Sequence, residues 1–310
     1  EGAEAVKKQI IIKHNFNLQQ YSIKNFTQDP PPRRWLVNNT MELSKISLLC
    51  SIGGIGKSGL CLRLCLDVNN GYGKFLGNNI SVQGNCAVLS AEDDAEETGR
   101  RLTLIDSTRS YLQSEYDTYV LTVADMGKPL TLIKEDLANG LHITDQAEDL
   151  RESLRQIDDL KLIVIDPIQS FVSGDMNNNS TAQLYSQFCS SIASEFGCSV
   201  LSIHHLNKSA ISEGNTNSVL NARSSVRGAT SLVDSHRAVQ ILYLDTEENT
   251  ERICFEQGIE YHRMAVVKAA MVKSNSEGDM SIKTLIRRGF NLDVIDEENS
   301  TGNINDIDWK

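Results

Sequence analysis

The segment SIGGIGKS, residues 51–58, contains the residue types that bind a chain of phosphates. Its glycines are Gly53, Gly54 and Gly56. Because they lack side chains, successive backbone N–H groups can turn toward an anion, and the start of a following helix favours the same charge. Lys57 then offers an ammonium to the terminal phosphates, and Ser58 offers a hydroxyl to Mg²⁺. The chemistry indicated is the binding of ATP with Mg²⁺.

The surroundings of this loop support that interpretation. Ser51 stands where the pattern GxxxxGK[ST] has its first glycine, and Ile55 and Gly59 complete the predicted cofactor-binding set. An ordinary glycine-rich turn capped by Ser58 is the alternative. A strand-like apolar run precedes the loop and a helical pattern follows it, so we predict a nucleotide site.

Two carboxylates at the ends of apolar runs are candidates for the remaining chemistry. Asp166 ends KLIVID and is placed to hold Mg²⁺ together with Ser58, or else it starts a turn before Pro167. Glu92 follows CAVLSA and is placed to polarise an attacking water as general base. The alternative for Glu92 is a helix-start acid, the role that we assign to the other acids at 93–97.

Adjacent histidines end a third apolar run, VLSIHH. Neighbouring strand residues point to opposite faces, so His204 and His205 do not suit one shared metal ion. His205 is either a group that hydrogen-bonds the terminal phosphate or an ordinary histidine at a sheet edge, and the residues alone leave both open.

The elements that must position these residues alternate along the chain. Strands are predicted at ISLLCS, CAVLSA, YVLTV, KLIVID and CSVLSIHH, with helices at 57–68, 95–111 and 181–196. This order predicts an α/β fold with a doubly wound, mostly parallel sheet flanked by helices. From 237 onward, AVQILYL, MAVVKAAMV and SIKTLIRRGF predict antiparallel strands that extend the sheet. We assign 1–34 to an N-terminal arm, 35–290 to the core and 291–310 to an acidic, disordered tail.

Composition limits the class of protein. A 310-residue chain with 40% hydrophobic and 23% charged residues is typical of a globular protein. No apolar run of about 18 residues and no signal-peptide core occur, so we expect a cytoplasmic protein without a membrane partner. The seven cysteines lie in apolar stretches and are expected to be buried and unpaired. A net charge of -11 confines any nucleic-acid surface to a local patch.

Taken together, several segments resemble the RecA-like core of plasmid-encoded hexameric replicative helicases of the RepA type and related ATPases of phages and mobile elements. They are SIGGIGKS, LSAEDDAEETGRRL, LIVIDPIQSF, FGCSVLSIHHLNK, SSVRGATSLVD and RMAVVKA, in that order and spacing from about 30 to about 290. Members of the group also tolerate serine at the position of Ser51.

The resemblance implies roles for individual residues. Glu92 is similar to the catalytic glutamate, Arg101 to an arginine that stacks on the adenine, and His205 to the residue that senses the γ-phosphate. Arg263 and Lys268 resemble a pair that reaches the neighbouring subunit's site, where a guanidinium stabilises the transition state. Taken as plain strand residues, the two would be outward cations on opposite faces unless a bulge intervenes.

The resemblance also implies a homo-oligomeric ring, a hexamer, with two pore loops, SGDMNNNSTA and NKSAISEGNTNSVLNARSSVRG. Both lack a hydrophobic period and are expected to be mobile. Lys208, Arg223 and Arg227 of the second loop are the cations that can contact single-stranded DNA, and we call them the pore-loop cations. The expected function is an ATP-driven DNA helicase. The alternatives are a RecA-like assembly or loading factor and, less well supported, a kinase on the same scaffold.

Overall fold

The computed structural model describes residues 18, 22–25, 29–206, 226, 230–276 and 278–295. The chain divides into two units, Glu1–Arg33 and Arg34–Lys310. What is described of the first unit includes a short 3₁₀ turn, Ile23–Asn25. The second unit begins one residue before the predicted start of the core.

The strands of the second unit follow the predicted apolar runs and add several short ones. In chain order they are β1 (Trp35–Val37), β2 (Met41–Glu42), β3 (Ile46–Ser51), β4 (Lys74–Phe75), β5 (Asn78–Asn79), β6 (Asn85–Ser90), β7 (Thr118–Thr122), β8 (Ile133–Asp136), β9 (Gly140–Ile143), β10 (Leu160–Asp166), β11 (Val172–Ser173), β12 (Ser199–His205), β13 (Ala238–Leu244), β14 (Val266–Ser274), β15 (Ile282–Arg288) and β16 (Asn291–Val294).

The helices begin in two different ways. They are α1 (Lys57–Asn70), α2 (Ala95–Ile105), α3 (Asp145–Leu154), α4 (Asn179–Phe196), α5 (Thr230–Ser235) and α6 (Glu247–Glu256). Four of them have an N-cap residue whose side-chain oxygen accepts a hydrogen bond from a backbone N–H group of the first turn. The N-cap residues are Asp94 for α2, Thr144 for α3, Asn178 for α4 and Thr246 for α6. Helix α1 differs because its N-cap is Gly56, which has no side chain to offer.

Within the described residues, the main sheet contains nine strands in the order β16-β15-β14-β13-β3-β12-β10-β6-β7. From β13 to β7 all neighbouring strands are parallel, and β14 to β16 continue the sheet antiparallel. Helix α1 packs on one face through Leu60 and Leu64, while α4 packs on the other through Tyr185 and Phe188. The predicted doubly wound α/β fold with antiparallel C-terminal strands is therefore confirmed.

The predicted C-terminal region is confirmed in part. The sequence pattern predicts antiparallel strands from 237 onward, and β13 does pair antiparallel with β14, but its other neighbour is β3, to which it is parallel. The predicted tail boundary at 291 falls inside a hairpin, because β16 pairs with β15 across a turn at Gly289 and buries Leu292. The rest of the predicted tail, 296–310, lies outside the described residues.

Some of the structure outside the main sheet is not predicted by the sequence patterns. Strands β8 and β9 lie between β7 and β10 and form a separate three-stranded sheet with β11, which follows β10, and α3 follows β9 along the chain. Strand β8 has the sequence IKED and buries one residue, Ile133, so no alternating pattern marks it. Helix α2 ends at Ile105 rather than at the predicted 111, since Asp106 closes a turn by accepting hydrogen bonds from Thr108 and Ser110.

The cysteine prediction is confirmed: all seven cysteines are buried and unpaired. Among the helices in the described part of the chain, none combines the length and apolar character needed to cross a bilayer.

Candidate nucleotide-binding site

The predicted site residues meet because four parallel strands end at the same edge of the main sheet. Strand β3 leads into the loop 51–58, and β12, β10 and β6 follow side by side. Ser51 lies opposite His205 in the register, and Asp166 lies opposite Ser90, two residues before Glu92. Ligands of open α/β sheets bind outside the carboxyl ends of the strands, which is this edge.

Lys57 is a buried cation held inside the loop. Its Nζ donates to Ser51 Oγ at 2.8 Å and to the carbonyl oxygens of Ile52 and Ser51 at 3.1 and 3.4 Å. Burial lowers the pKa of the ammonium, and the nearby carboxylate of Asp166 opposes that shift. Ser51, the position that departs from the usual pattern, therefore supplies a hydroxyl that orients the lysine.

The loop backbone needs glycine at two positions. Gly54 and Gly56 have φ of 80° and 84°, in the left-handed region that residues with a Cβ rarely adopt. A Cβ added to Gly53 would meet nothing within 4 Å. The predicted loop residue Ile55 is 1% exposed and packs in the core on the α1 face of the sheet. The loop thus depends on glycine for its backbone conformation, with space beside Gly53 and an uncapped start of α1 next to it.

Asp166 and Ser58 form the predicted pair of oxygen donors for a metal ion. The Ser58 hydroxyl hydrogen-bonds the Asp166 carboxylate. Burial raises the pKa of Asp166, and the bond from Ser58 and the charge of Lys57 oppose the shift. A hydroxyl and a carboxylate are the hard oxygen ligands that Mg²⁺ prefers, so these residues fit the ion.

The acids after β6 divide into two groups. Asp94 caps α2 by accepting a hydrogen bond from Glu97 N at 2.7 Å, as expected for helix-start acids. Glu92 is exposed, and its charge raises the pKa values of both Lys57 and Asp166. Glu92 is therefore the acid of this segment that faces the site while remaining open to water.

Arg101 lies on α2 within reach of the same segment. Its Nη2 donates to Asp93 Oδ1 at 2.8 Å and its Nε to Glu97 Oε1 at 3.4 Å. Burial raises the pKa of Asp93, and the guanidinium of Arg101 opposes the shift. The two acids hold the planar group of Arg101 in place, a requirement for the stacking role that the resemblance implies.

The two histidines at the end of β12 have different surroundings. His204 is 1% exposed, whereas His205 is half-buried at the edge of the sheet, opposite Ser51. The position of His205 is next to the loop that would hold the terminal phosphate. Across the described ranges, no group of three or more His, Cys, Asp or Glu side chains is arranged to hold a metal ion.

Arg263 and Lys268 converge on one acid at the end of β13. Arg263 Nη1 donates to the Asp245 carbonyl oxygen at 2.7 Å, and Lys268 Nζ lies 3.3 Å from Asp245 Oδ2. Arg263 precedes β14, which begins at Val266, so strand alternation does not govern its direction. Lys268 also donates to Thr284 Oγ1 and is largely buried, while Arg263 is exposed at the site edge.

Residues that sequence reasoning missed cover the loop from the C-terminal strands. Arg287 Nη2 donates to the Ile55 carbonyl oxygen, and Met264 packs beside Gly54. A Cβ on Gly59 would overlap the ring of Phe290, which explains glycine at the start of α1. The only sequence signal for this cover is the basic pair and aromatic residue in RRGF, residues 287–290.

The first predicted pore loop can be compared with the structure, whereas the pore-loop cations cannot. The first is wrong over 179–182, which form the first turn of α4, and Asp175 fixes the preceding turn by accepting a hydrogen bond from Asn177 N. The pore-loop cations Lys208, Arg223 and Arg227 lie outside the described residues.

Comparisons with known proteins agree with this geometry. The sequence pattern of the family described as an AAA domain matches residues 13–210. No curated protein sequence is similar to this chain at a significant level. A solved ATPase domain superposes with a TM-score of 0.56 at 12% identity, covering 81% of this chain and 85% of that one.

Two further solved structures are similar. A DnaB-like replicative helicase has a TM-score of 0.57 at 12% identity over 89% of this chain and 64% of that one, so this chain spans less than two thirds of its length. A KaiC-like protein from Pyrococcus horikoshii OT3 has a TM-score of 0.52 at 12% identity, over 86% and 100% of the two chains. At these identities the similarity shows the fold, which is RecA-like as predicted.

Proposed function

This chain belongs to the AAA domain family, and from that membership we propose that it is an ATP-hydrolysing motor on nucleic acid. Specifically, we propose a hexameric DNA helicase that acts in the replication of a plasmid, phage or mobile element. The observation that carries the proposal is the meeting of a buried lysine, a Ser–Asp pair and an exposed glutamate at the carboxyl ends of adjacent strands.

Each of these groups has one task in ATP hydrolysis. Lys57 offsets the charge of the β- and γ-phosphates, and the loop N–H groups hold them. Ser58 and Asp166 would hold Mg²⁺, which neutralises charge that develops on the phosphates. Glu92 orients a water for attack on the γ-phosphate and takes its proton. His205 contacts the γ-phosphate, and Arg101 stacks on the base.

We propose that Arg263 of a neighbouring subunit completes the active site. One sequence argument for this role is the lack of an arginine at the ends of β3, β6 and β10. Arg287 of the same chain reaches the loop from β15, so that argument no longer holds. The trans role of Arg263 is instead supported by the family resemblance and by its exposed position at the site edge. Lys268, paired with Asp245, would orient this region.

The nucleic-acid part of the proposal rests on the pore-loop cations and on the DnaB-like relative. A RecA-like ATPase that controls assembly or loading without unwinding is the second candidate, and the similarity to a KaiC-like protein is compatible with it.

The deciding experiment measures ATP turnover with and without single-stranded DNA, alongside strand separation of a forked duplex. Stimulation by DNA together with unwinding supports the helicase. Turnover that DNA does not change, with no unwinding by a demonstrated ring, would assign the chain to the loading-factor class. Absence of ATP turnover in every condition would reject both.

A further inference from the structure

Two side chains of the C-terminal region, Met264 just before β14 and Arg287 in β15, lie against glycines of the phosphate loop. A Cβ on Gly54 would lie 3.3 Å from Met264 Cε, and one on Gly56 would lie 2.8 Å from Arg287 Nη1. The absence of a Cβ at these two positions leaves room for the ends of the Met264 and Arg287 side chains beside the loop backbone.

Arg287 joins two backbone segments that belong to different parts of the chain. Its Nη2 donates to the carbonyl oxygen of Ile55 in the loop, and its Nε donates to the carbonyl oxygen of Met264 at 3.1 Å. The backbone N–H of Arg287 also donates to the Ala265 carbonyl oxygen at 2.8 Å. One residue thus ties the phosphate loop to the segment that carries Arg263.

The partners of Arg287 are neutral, which is unusual for a guanidinium that is largely buried. In the part of the chain that the structure describes, no carboxylate pairs with it. Burial lowers the pKa of Arg287, and no acid opposes the shift. Two different nitrogens of the planar guanidinium bind the two carbonyls, Nη2 that of Ile55 and Nε that of Met264, whereas an ammonium has one nitrogen to offer.

We propose that Arg287 is a positioning residue that couples the phosphate loop to the Arg263 segment within one chain. When phosphates bind, the loop backbone and the Ile55 carbonyl adjust, and the guanidinium transmits that adjustment to Met264 and its neighbour Arg263. Nucleotide occupancy of a subunit thereby sets the position of the arginine that it presents. This inference rests on the proposed function, because it needs nucleotide at the loop.

A fluorescent label near Arg263 tests the coupling. His262 is exposed and all seven cysteines are buried, so a maleimide dye attaches selectively to His262→Cys. The fluorescence of the dye is measured while AMP-PNP with Mg²⁺ is titrated into four labelled proteins. They are the labelled parent and its variants Arg287→Gln, Arg287→Lys and Arg288→Gln. Arg288 is the matched control, because it is the next residue of β15, is 53% exposed and points to the opposite face.

We expect AMP-PNP to change the label signal in the parent and in Arg288→Gln. In Arg287→Gln the dissociation constant should rise about tenfold, the equivalent of about 1.4 kcal/mol, and the signal change at saturation should disappear. Arg287→Lys should recover part of the affinity through its charge, without the signal change, because one ammonium does not span both carbonyls.

Other results would overturn the coupling. One such result is an Arg287→Gln protein that binds AMP-PNP with the parent's affinity and shows the parent's fluorescence change. Another is an Arg287→Gln protein whose unfolding temperature falls but whose fluorescence change at saturation is kept. Full rescue of the signal by Arg287→Lys would also reject the bridging role. A parent that does not bind AMP-PNP would reject the proposed function itself, whereas an unaltered Arg287→Gln rejects only this inference.

Discussion

The free energy of unfolding should fall steeply in mild acid because of one buried histidine. His236 is 0% exposed, and its Nδ1 donates to the Leu232 carbonyl oxygen at 2.7 Å. Burial lowers the pKa of His236 from 6.5 to about 4, helped by Lys273 and His204 nearby and opposed by the bond to Leu232. The folded protein therefore keeps this imidazole neutral where the unfolded chain protonates it.

The sign and size of the effect follow from proton linkage. Between the two pKa values the unfolded state binds more protons, so stability is complete above pH 6.5 and is lost as the pH falls toward 4. Each unit of pKa shift is worth about 1.4 kcal/mol, which makes the whole effect about 3 kcal/mol. Between pH 7.5 and 5.0 the share lost is about 2 kcal/mol.

Urea denaturation of the natural chain and of His236→Asn at pH 7.5 and 5.0 measures how much unfolding free energy His236 contributes between these pH values. Asparagine keeps a donor for the Leu232 carbonyl and does not titrate, so the variant lacks the pH-dependent contribution of His236 to the free energy of unfolding. The natural chain should lose about 2 kcal/mol more than the variant on acidification. Other groups titrate equally in both proteins and cancel. Parallel losses would show that His236 is protonated in the folded state and would refute the reasoning.

Three further predictions concern the proposed site. Glu92→Gln should bind ATP nearly normally and turn over at least about a hundredfold more slowly, and near-normal turnover in a single-cycle assay would remove Glu92 as base. Neutralising the three pore-loop cations should weaken binding of single-stranded DNA and flatten its salt dependence, by roughly one unit of slope for each phosphate that is no longer neutralised. Unchanged binding of labelled oligonucleotide would move the DNA site elsewhere. Arg263→Ala should keep ATP binding and oligomerisation and lose turnover by about three orders of magnitude. Mixing it with Lys57→Ala subunits should restore part of the activity, and mixed rings without rescue would contradict a shared site.

The sequence predicts the centre of this molecule well because its strands are continuous apolar runs. ISLLCS and AVQILYL coincide with β3 and β13, residue for residue. Their order along the chain also places Ser51, Asp166 and His205 at one edge, because parallel strands end together. The direction of β13 could not be inferred, since a buried strand has the same composition in either direction.

What the sequence does not predict are contacts between distant segments. Arg287 and Ile55 are 232 positions apart, and no local pattern links them. The ion pair of Lys268 with Asp245 likewise depends on how β13 and β14 pair, since Asp245 follows the end of β13. The short strand β8 escapes detection because it buries too few residues to produce a period.

The place of β3 in the sheet has a consequence for how the protein folds. This strand comes early in the chain, yet its two neighbours, β12 and β13, begin at Ser199 and Ala238. A growing polypeptide must therefore keep ISLLCS without these strand partners until β12 and β13 have left the ribosome. Pairings between such distant segments are slow to form, and unpaired apolar strands aggregate while they wait. We expect chains that stop before β13 to be captured by chaperones rather than to accumulate in solution.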